Sequence, residues 1–504
     1  MDDPVAIPSS CASPSAGNHI ETTGPWSQKV ALSLDGGGIR GYWSLLVLRA
    51  LMQEIEEEER KQDQRVTSSF HPCEVPLNVS QKETAFLPCH YFDYVAGTST
   101  GALITILLSR FRMTVDDCLE EYRRMAGAVF GHPKLIYSMK FGVGGNKFSR
   151  NCLDRAIKEV IGRRAEKRTD DFSEFLFQTE IDTCRGIVLA SVVDHHAGRA
   201  QVLRPFLFRS YTPFNERSRQ HANRHAREPN NHLEGSKISL LKVALAATAA
   251  PLYFGHYHCT LSVAQVQAST RIPTRQGTNV FSAERRGAVL APKGPEYEFE
   301  DAGFGPTNNP CRELGKEIKH HHGPIAPILV SIGTARPPPR DERNHLMQVI
   351  RRAFATAGDP EPIHTLMQTS TEEDCYFRFN DEQGIAIEMD DWRPKKTGER
   401  TLDDMQNKFH RWAGKREVKR ELARCARILV TLRRTRMTTR RWERFALVRY
   451  FECRVLGCPK DRDNKWLDRQ DFKNHLEQDH QPEDYDSNIG EAVERCAREW
   501  EYNP

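Results

Sequence analysis

The chain has 504 residues, with 72 basic and 68 acidic side chains and a net charge of +4. A hydrophobic content of 38% and a charged content of 28% exclude a disordered chain, and the length exceeds what one core serves, so two or three domains are expected. The balanced charge does not mark nucleic acid as a global partner. Thirteen scattered cysteines are not a disulfide framework, and no apolar run approaches the ~20 residues that span a bilayer.

Residues 1–27 are polar and rich in Ser, Pro and Gly, the composition of a disordered leader rather than a secretion signal. The expected location is therefore cytoplasmic, in a reducing compartment. Val30–Leu34 reads as a short buried strand, followed by Asp35-Gly36-Gly37-Gly38-Ile39-Arg40-Gly41 and a helix from about Tyr42 to Arg60, with Leu45, Leu48, Leu51 and Ile55 at helical spacing. A polar, Pro-containing insertion fills 61–89. The run Tyr91–Ala96 reads as a strand, Gly97-Thr98-Ser99-Thr100-Gly101 as a turn, and Ala102–Leu108 as a helix. Helices are expected near 114–130 and 149–162, strands at Gly186–Val193 and Pro205–Tyr211, and an alanine-rich helix at Ser239–Ala249, stopped by Pro251. After an insertion with little period at 261–296 comes a buried strand, Ile325–Ile332. Strands alternating with helices predict an α/β fold with parallel pairing. From Arg393 to Arg444 the pattern is helical and strongly basic, a Cys- and His-bearing module occupies 448–481, and 482–504 is an acidic tail, expected to be helical.

Gly97–Gly101 has the strand-before, helix-after context of a G-x-S-x-G nucleophile elbow, in which glycines permit the sharp turn and the helix N-terminus favours negative charge beside the serine. The plain alternative is a tight turn with a solvated serine. Asp35–Gly41 satisfies G-x-G-x-x-G, but a dinucleotide site needs an acidic residue about 20 positions on at the end of a second strand. Here that region is Glu54 and Glu56–Glu59, on a charged helix face. An oxyanion loop is the better reading: Gly36, Gly37 and Gly38 let N–H groups converge on one point. Arg40 either adds positive charge there or is a surface loop residue. Asp301-Ala302-Gly303 lies in a Gly-, Asn- and Pro-rich loop, where an aspartate ordinarily caps a turn.

Asp35–Gly41, Gly97–Gly101 and Asp301–Gly303 occur in the order, and at roughly the separations, of the patatin-like phospholipases, and the chain resembles that family over about 28–435, with its motif core at 31–310. Ala246–Phe254 and Asn308-Asn309-Pro310 are similar to its A-A-P-x-x-F and N-N-P segments. The resemblance implies a patatin-like three-layer α/β/α sandwich around a mostly parallel sheet. It implies a Ser–Asp dyad without histidine, Ser99 as nucleophile and Asp301 as proton acceptor. Gly36, Gly37, Gly38 and Arg40 take the oxyanion site, and Gly41, Gly97, Gly101, Ala302 and Gly303 carry the motifs. It further implies lipid acyl hydrolysis, of phospholipid or related esters, through an acyl-enzyme without calcium or any catalytic cofactor. The family usually has Asp-Gly-Gly or Asp-Gly-Ala where this chain has Asp301-Ala302-Gly303, and Ala302 disfavours a positive φ. Two rivals remain: a Ser–His–Asp triad drawing on His320–His322, in a run that reads as polar and solvated, and a regulatory lipid sensor without catalysis.

Cys453-x4-Cys458-x16-His475-x4-His480 has more residues between the second Cys and first His than the ~12 of a usual C2H2 finger. Phe451, Trp466 and Phe472 nevertheless stand where a finger's apolar triad stands, so the module resembles a ββα finger with four extra residues within Pro459–Lys465, its four ligands closing a structural Zn²⁺ site. With the helix starting near Arg469, the base-reading positions would be Asp468, Asp471 and Asn474. Two acidic readers argue against specific DNA binding and favour a structural or protein-binding role. The basic segment Lys408–Arg444, with Arg433, Arg434, Arg436, Arg440 and Arg441, reads as a solvated face, with attraction to an anionic membrane surface and a nuclear import signal as its alternatives.

Overall fold

The computed structural model describes residues 24–70, 85–133, 146–164, 172, 175–179, 182–194, 202–211, 238–251, 253–261, 296–335, 357–459, 465–481 and 488–499. Most of the leader, residues 71–84 of the first insertion, nearly all of the second (262–295), residues 460–464 and the tail segments 482–487 and 500–504 lie outside the described residues.

β1 (Val30–Leu34) leads through the glycine loop into α1 (Gly41–Gln62). β2 (Tyr94–Thr98) turns at Ser99 into α2 (Thr100–Thr105), which continues as one π-helical turn to Arg110. There follow α3 (Val115–Phe130), α4 (Arg150–Arg164), β3 (Arg185–Asp194), β4 (Val202–Arg209) and α5 (Leu240–Ala247). β5 (Tyr257–Thr260), β6 (Glu296–Glu300), α6 (Cys311–His322), β7 (Ile328–Ile332), α7 (Glu361–Ser370) and β8 (Tyr376–Phe379) complete the sheet and its outer helices. The strands form one eight-stranded sheet in the order β5-β6-β3-β2-β1-β7-β8, with β4 paired to β3. β3-β2-β1-β7-β8 is parallel, as the alternation of strands and helices predicts, while β4, β5 and β6 add antiparallel pairs.

Side-chain alternation divides the core into two layers. Val30, Leu32, Leu34, Val95, Val188, Val330 and Ile332 face the large cluster that includes α1, α2, α3, α4 and α5. Ala31, Tyr94, Ala96, Ile187, Leu189 and Leu329 face the opposite side, under α6 and Ile363 of α7. This is the α/β/α sandwich.

The pairing of β3 brings the two halves of the site together. β4 occupies one edge of β3 from Ile187 to Asp194. A strand has only two edges, so β2 and β6 share the other: β2 pairs with Arg185–Leu189, and β6 with Ser191 and Val192. Where β2 leaves the sheet at the elbow, β6 takes its place, running antiparallel, and ends at Glu300 beside the turn.

The basic C-terminal segment corrects the solvated-face expectation in part: Arg440 is exposed, but the arginines before it are not all so. It forms α8 (Glu399–Ala413), α9 (Arg416–Met437) and α10 (Arg441–Leu447). Arg433 and Arg436 are each only 1% exposed. Arg433 Nη2 and Arg434 Nη1 donate to Glu59 Oε2 at 2.7 and 2.9 Å, and Arg436 Nη2 donates to Asp93 Oδ2 at 2.8 Å and to the Gln28 carbonyl at 2.6 Å. Arg441 and Arg444 both reach Asp182. Gln28, Asp93 and Asp182 lie just before β1, β2 and β3, so these arginines neutralise the N-terminal edge of the sheet, opposite the end where Ser99 sits. Trp442 and Phe445 join Trp26 and Phe70 in a buried cluster. The packing of the main body therefore continues to about 447, beyond the expected limit at 435.

Candidate active site

Ser99 is one of five non-glycine residues with positive φ among the described residues, at 55° with ψ −122°. Such backbone is costly and persists where surrounding packing imposes it. Here the cause is the crowding of helix on strand. A Cβ on Gly97 would stand 2.1 Å from the Gly101 carbonyl oxygen, and one on Gly101 would stand 2.3 Å from that of Leu34. Only glycine on both sides lets the turn close, and this lifts the serine hydroxyl above the C-terminal end of β2.

Ser99 Oγ donates to Asp301 Oδ2 at 2.6 Å. Asp301 follows β6, its N–H donates to the Ala249 carbonyl at 3.0 Å, and its Oδ1 accepts from Gly303 N at 2.8 Å. The Ala249 contact gives the alanine-rich segment before Pro251 a role: its end holds the aspartate's backbone. Burial pushes the Asp301 carboxyl up to about 7, against the Ser99 and Gly303 hydrogen bonds, and the neighbouring Glu300 charge adds to the rise. The substitution at Ala302 is accommodated: this residue opens a short 3-10 turn, is fully buried and avoids the left-handed region.

Ser99 and Asp301 line a cavity that continues along an apolar wall of Leu103, Met125, Ala126, Val129, Leu153, Phe254 and Phe304. Gly36, Gly37, Gly38 and Arg40 also line it. Arg40 is buried, which removes the surface-loop alternative. The glycine loop differs in detail from three converging donors. Gly36 N already donates to Asn308 Oδ1 at 3.0 Å, and Gly37 N to Thr100 Oγ1 at 3.2 Å. Gly38 N makes no hydrogen bond among the described residues. Gly41 is needed for another reason: a Cβ there would stand 2.4 Å from the Tyr122 hydroxyl.

Four participants escape sequence reasoning: Tyr122, Met389, Asp35 as an ion-pair partner, and Arg378. Arg378 of β8 donates to both carboxylate oxygens of Asp35, at 3.1 and 2.7 Å, and so anchors the start of the glycine loop. None of the described residues lining the cavity is a histidine. His320–His322 end α6, with His320 exposed as the solvated reading expects. His321 is buried with Nε2 2.9 Å from Glu317 Oε1, and His322 Nε2 is 2.8 Å from the Tyr94 hydroxyl, at the far end of β2.

In the C-terminal module, ligand atoms of Cys453, Cys458, His475 and His480 all lie within 4.8 Å of one another. The Cys453 Sγ to His480 Nε2 and Cys458 Sγ to His475 Nε2 separations are 3.3 and 3.5 Å. With bonds of about 2.3 Å to sulfur and 2.0–2.1 Å to nitrogen, a tetrahedral ion requires S···N edges of roughly 3.5 Å, so the donor set fits zinc. Asp479 holds His475 Nδ1 at 2.7 Å and turns Nε2 toward the cluster. Phe451 and Phe472 stack at 5.4 Å, and Trp466 stacks on His475 at 4.3 Å.

The expected ββα pattern is altered. β9 (Arg449–Phe451) meets Trp466 only in an isolated bridge, and its regular antiparallel partner is β10 (Ala497–Glu499), from the expected tail. Between them come α11 (Arg469–Asp479) and α12 (Ile489–Cys496). Ala492 and Val493 of α12 pack on Phe451 and Phe472, so the tail completes the module's core. Asp468, placed by spacing at a base-reading position, caps α11 by accepting from Gln470 N and Asp471 N. Arg469 joins Glu443 of α10 to Glu494 of α12.

A sheet whose central strand ends in a strained serine turn, faced by a carboxylate from the end of β6, which succeeds β2 along the same edge of β3, defines an α/β fold of the nucleophile-elbow class. Residues 32–279 match the patatin-like phospholipase family, and this part of the chain is a patatin-like phospholipase domain. The match stops before Asp301, which the pairing of β6 brings to the site. The chain is 25% identical over 384 residues to the mouse calcium-independent phospholipase A2-gamma, an alignment covering 74% of this chain and 38% of that protein. It is 24% identical over 384 residues to the human protein of that name, covering 74% and 37%, and 24% identical over 234 residues to a cGAMP-activated phospholipase of Vibrio cholerae, covering 45% and 50%. The chain thus spans under two-fifths of the length of these mammalian relatives.

Proposed function

We propose that this chain is a serine-dependent lipid acyl hydrolase that cleaves carboxylic esters of phospholipids or related acyl lipids without calcium. The observation that carries the reading is the 2.6 Å hydrogen bond from Ser99 to Asp301 at the head of an apolar cavity. As Ser99 Oγ bonds to the ester carbon, its proton passes to Asp301 and the carbonyl oxygen becomes an oxyanion facing the glycine loop and Arg40. Collapse breaks the ester C–O bond, and the departing alcohol takes the proton from Asp301. Water then attacks the acyl-enzyme, giving its proton to Asp301, and the fatty acid leaves as Ser99 regains a proton. The apolar wall supplies an acyl-chain site, and the relatives named as phospholipases support a phospholipid substrate. The place of action in this reading is a cytoplasmic membrane surface. Among the described residues no helix is long and apolar enough to cross a membrane.

A fluorophosphonate probe is expected to label the wild-type chain and not Ser99→Ala, with phospholipid hydrolysis lost in the same variant. Hydrolysis surviving in Ser99→Ala would overturn the assignment, and a folded chain that neither labels nor hydrolyses would be a lipid binder instead.

The reading includes a structural zinc ion held by Cys453, Cys458, His475 and His480, with Asp479 orienting His475. When bound, the ion would join the Cys453–Cys458 turn to the end of α11; the module's place in the fold suits structural support or a protein partner. Elemental analysis of the full chain should give about one zinc per molecule, falling to near zero in Cys453→Ser. Serine labelling by the probe should persist in that variant, because the module joins the main body through α10, at the sheet edge opposite Ser99.

A further inference from the structure

The glycine loop contains more hydrogen-bonded order than an oxyanion site requires, and the order surrounds a single N–H. Gly37 N donates to Thr100 Oγ1 at 3.2 Å. The Tyr122 hydroxyl, on the other side of the loop's Gly41, donates to the Gly38 carbonyl at 2.5 Å. The next N–H, of Ile39, donates to the Met389 carbonyl at 2.7 Å, and the Gly37 carbonyl accepts from Arg40 N at 3.2 Å. The peptide plane after Gly38 is therefore held at both its oxygen and its nitrogen, and the plane before it is held at its oxygen. Gly38 sits between them with φ of 58°, and a Cβ there would stand 2.1 Å from the Met389 oxygen, so only glycine fits. Two planes pinned on either side of one Cα leave the Gly38 N–H a single direction. It is the member of the three-glycine run that carries no hydrogen bond among the described residues, and Gly38 lines the cavity with Ser99.

We propose that the Gly38 N–H is the principal backbone donor to the oxyanion and that Tyr122, working with the Met389 carbonyl, is the positioning residue that aims it. This rests on the hydrolase reading above. Tyr122 touches the loop and not the reacting atoms, so its contribution lies in preorganisation: a donor already aimed costs no rearrangement when charge develops. Its burial pushes the phenol up, which keeps the hydroxyl protonated and donating. It also explains the last glycine of the motif, because a methyl at Gly41 would stand 2.4 Å from that hydroxyl.

The test is Tyr122→Phe in the full chain, which keeps the ring against the cavity and removes only the hydroxyl. Two ligands separate aim from packing. An acyl trifluoromethyl ketone adds Ser99 and places an oxyanion in the site; the matching acyl alcohol fills the cavity and cannot. The expected result is a kcat about tenfold lower with KM unchanged, and trifluoromethyl ketone affinity weakened by a similar factor. Acyl alcohol affinity and the acid limb of the pH profile should stay in place. Gly41→Ala should reproduce the pattern by displacing the hydroxyl. An active wild type with an unaltered Tyr122→Phe overturns the clamp alone, as does equal weakening toward both ligands, which would mean a packing role. A wild type that neither turns over ester nor binds the ketone overturns the hydrolase reading, and this inference with it.

Discussion

Asp301→Asn is expected to lower kcat by about 10⁴-fold, on the scale at which removing a triad partner disables a serine hydrolase, while leaving the cavity and the alcohol-analogue affinity intact. The amide preserves shape and still accepts from Ser99, but it cannot take a proton. The wild-type pH profile follows from the same residue. Burial pushes the Asp301 carboxyl up to about 7, and the ionised form is the one that accepts the serine proton. Activity should therefore be full above the neutral region and fall about tenfold per pH unit below about 7. Glu300 contributes part of the rise, so Glu300→Gln should move the acid limb to lower pH. A kcat/KM profile flat from pH 5 to 8 would remove Asp301 as the base, whatever the fate of the asparagine variant.

The second large effect concerns stability. Glu59→Gln should destabilise the fold by about 3–5 kcal/mol, because it leaves the buried Arg433 charge without its counter-ion. Glu59 is fully buried, accepts from Arg433, Arg434 and the Tyr91 hydroxyl, and ties α1 to α9. The measurement is a denaturant midpoint at neutral pH. The double variant Glu59→Gln with Arg433→Met should recover much of the loss, since removing both charges also removes their desolvation. Equal midpoints for Glu59→Gln and wild type would mean that water reaches this pair.

Legibility followed the range over which each signal acts. β1, β2, α1 and the serine turn are written locally: alternating or helical apolar spacing, and glycines where the chain bends sharply. β6, Glu296-Tyr297-Glu298-Phe299-Glu300, alternates charged and aromatic residues as a half-buried strand does, but this short signal stands at the end of a long stretch without period and is easily passed over. The segment pairs with β3 only because β2 vacates that edge. That tertiary event also brings Asp301 to Ser99, so the aspartate was reachable from the family pattern and not from its own surroundings. Arg433 and Glu59 stand 374 positions apart, and nothing near either tells a solvated arginine from a buried one. Tyr122 reads as one more apolar position of α3, and the Met389 contact is through a backbone oxygen, which no side-chain pattern can report. In the C-terminal module the spacing of Cys453, Cys458, His475 and His480 is legible, whereas the pairing of β9 with β10 needs the chain to return after α12.

The buried base also makes the proposed enzyme sensitive to the charge of the surface it works on. A leaflet rich in anionic lipid has a surface potential of about −30 mV, which concentrates protons and lowers the local pH by roughly half a unit. A carboxyl that is half ionised in bulk at its midpoint would be only about one-quarter ionised there, so turnover per bound molecule would be roughly halved on that surface. Salt would relieve this by screening the potential, and a neutral bilayer would not impose it. Lipid composition would then govern the rate through acidity at the interface, separately from any preference for headgroup or acyl chain.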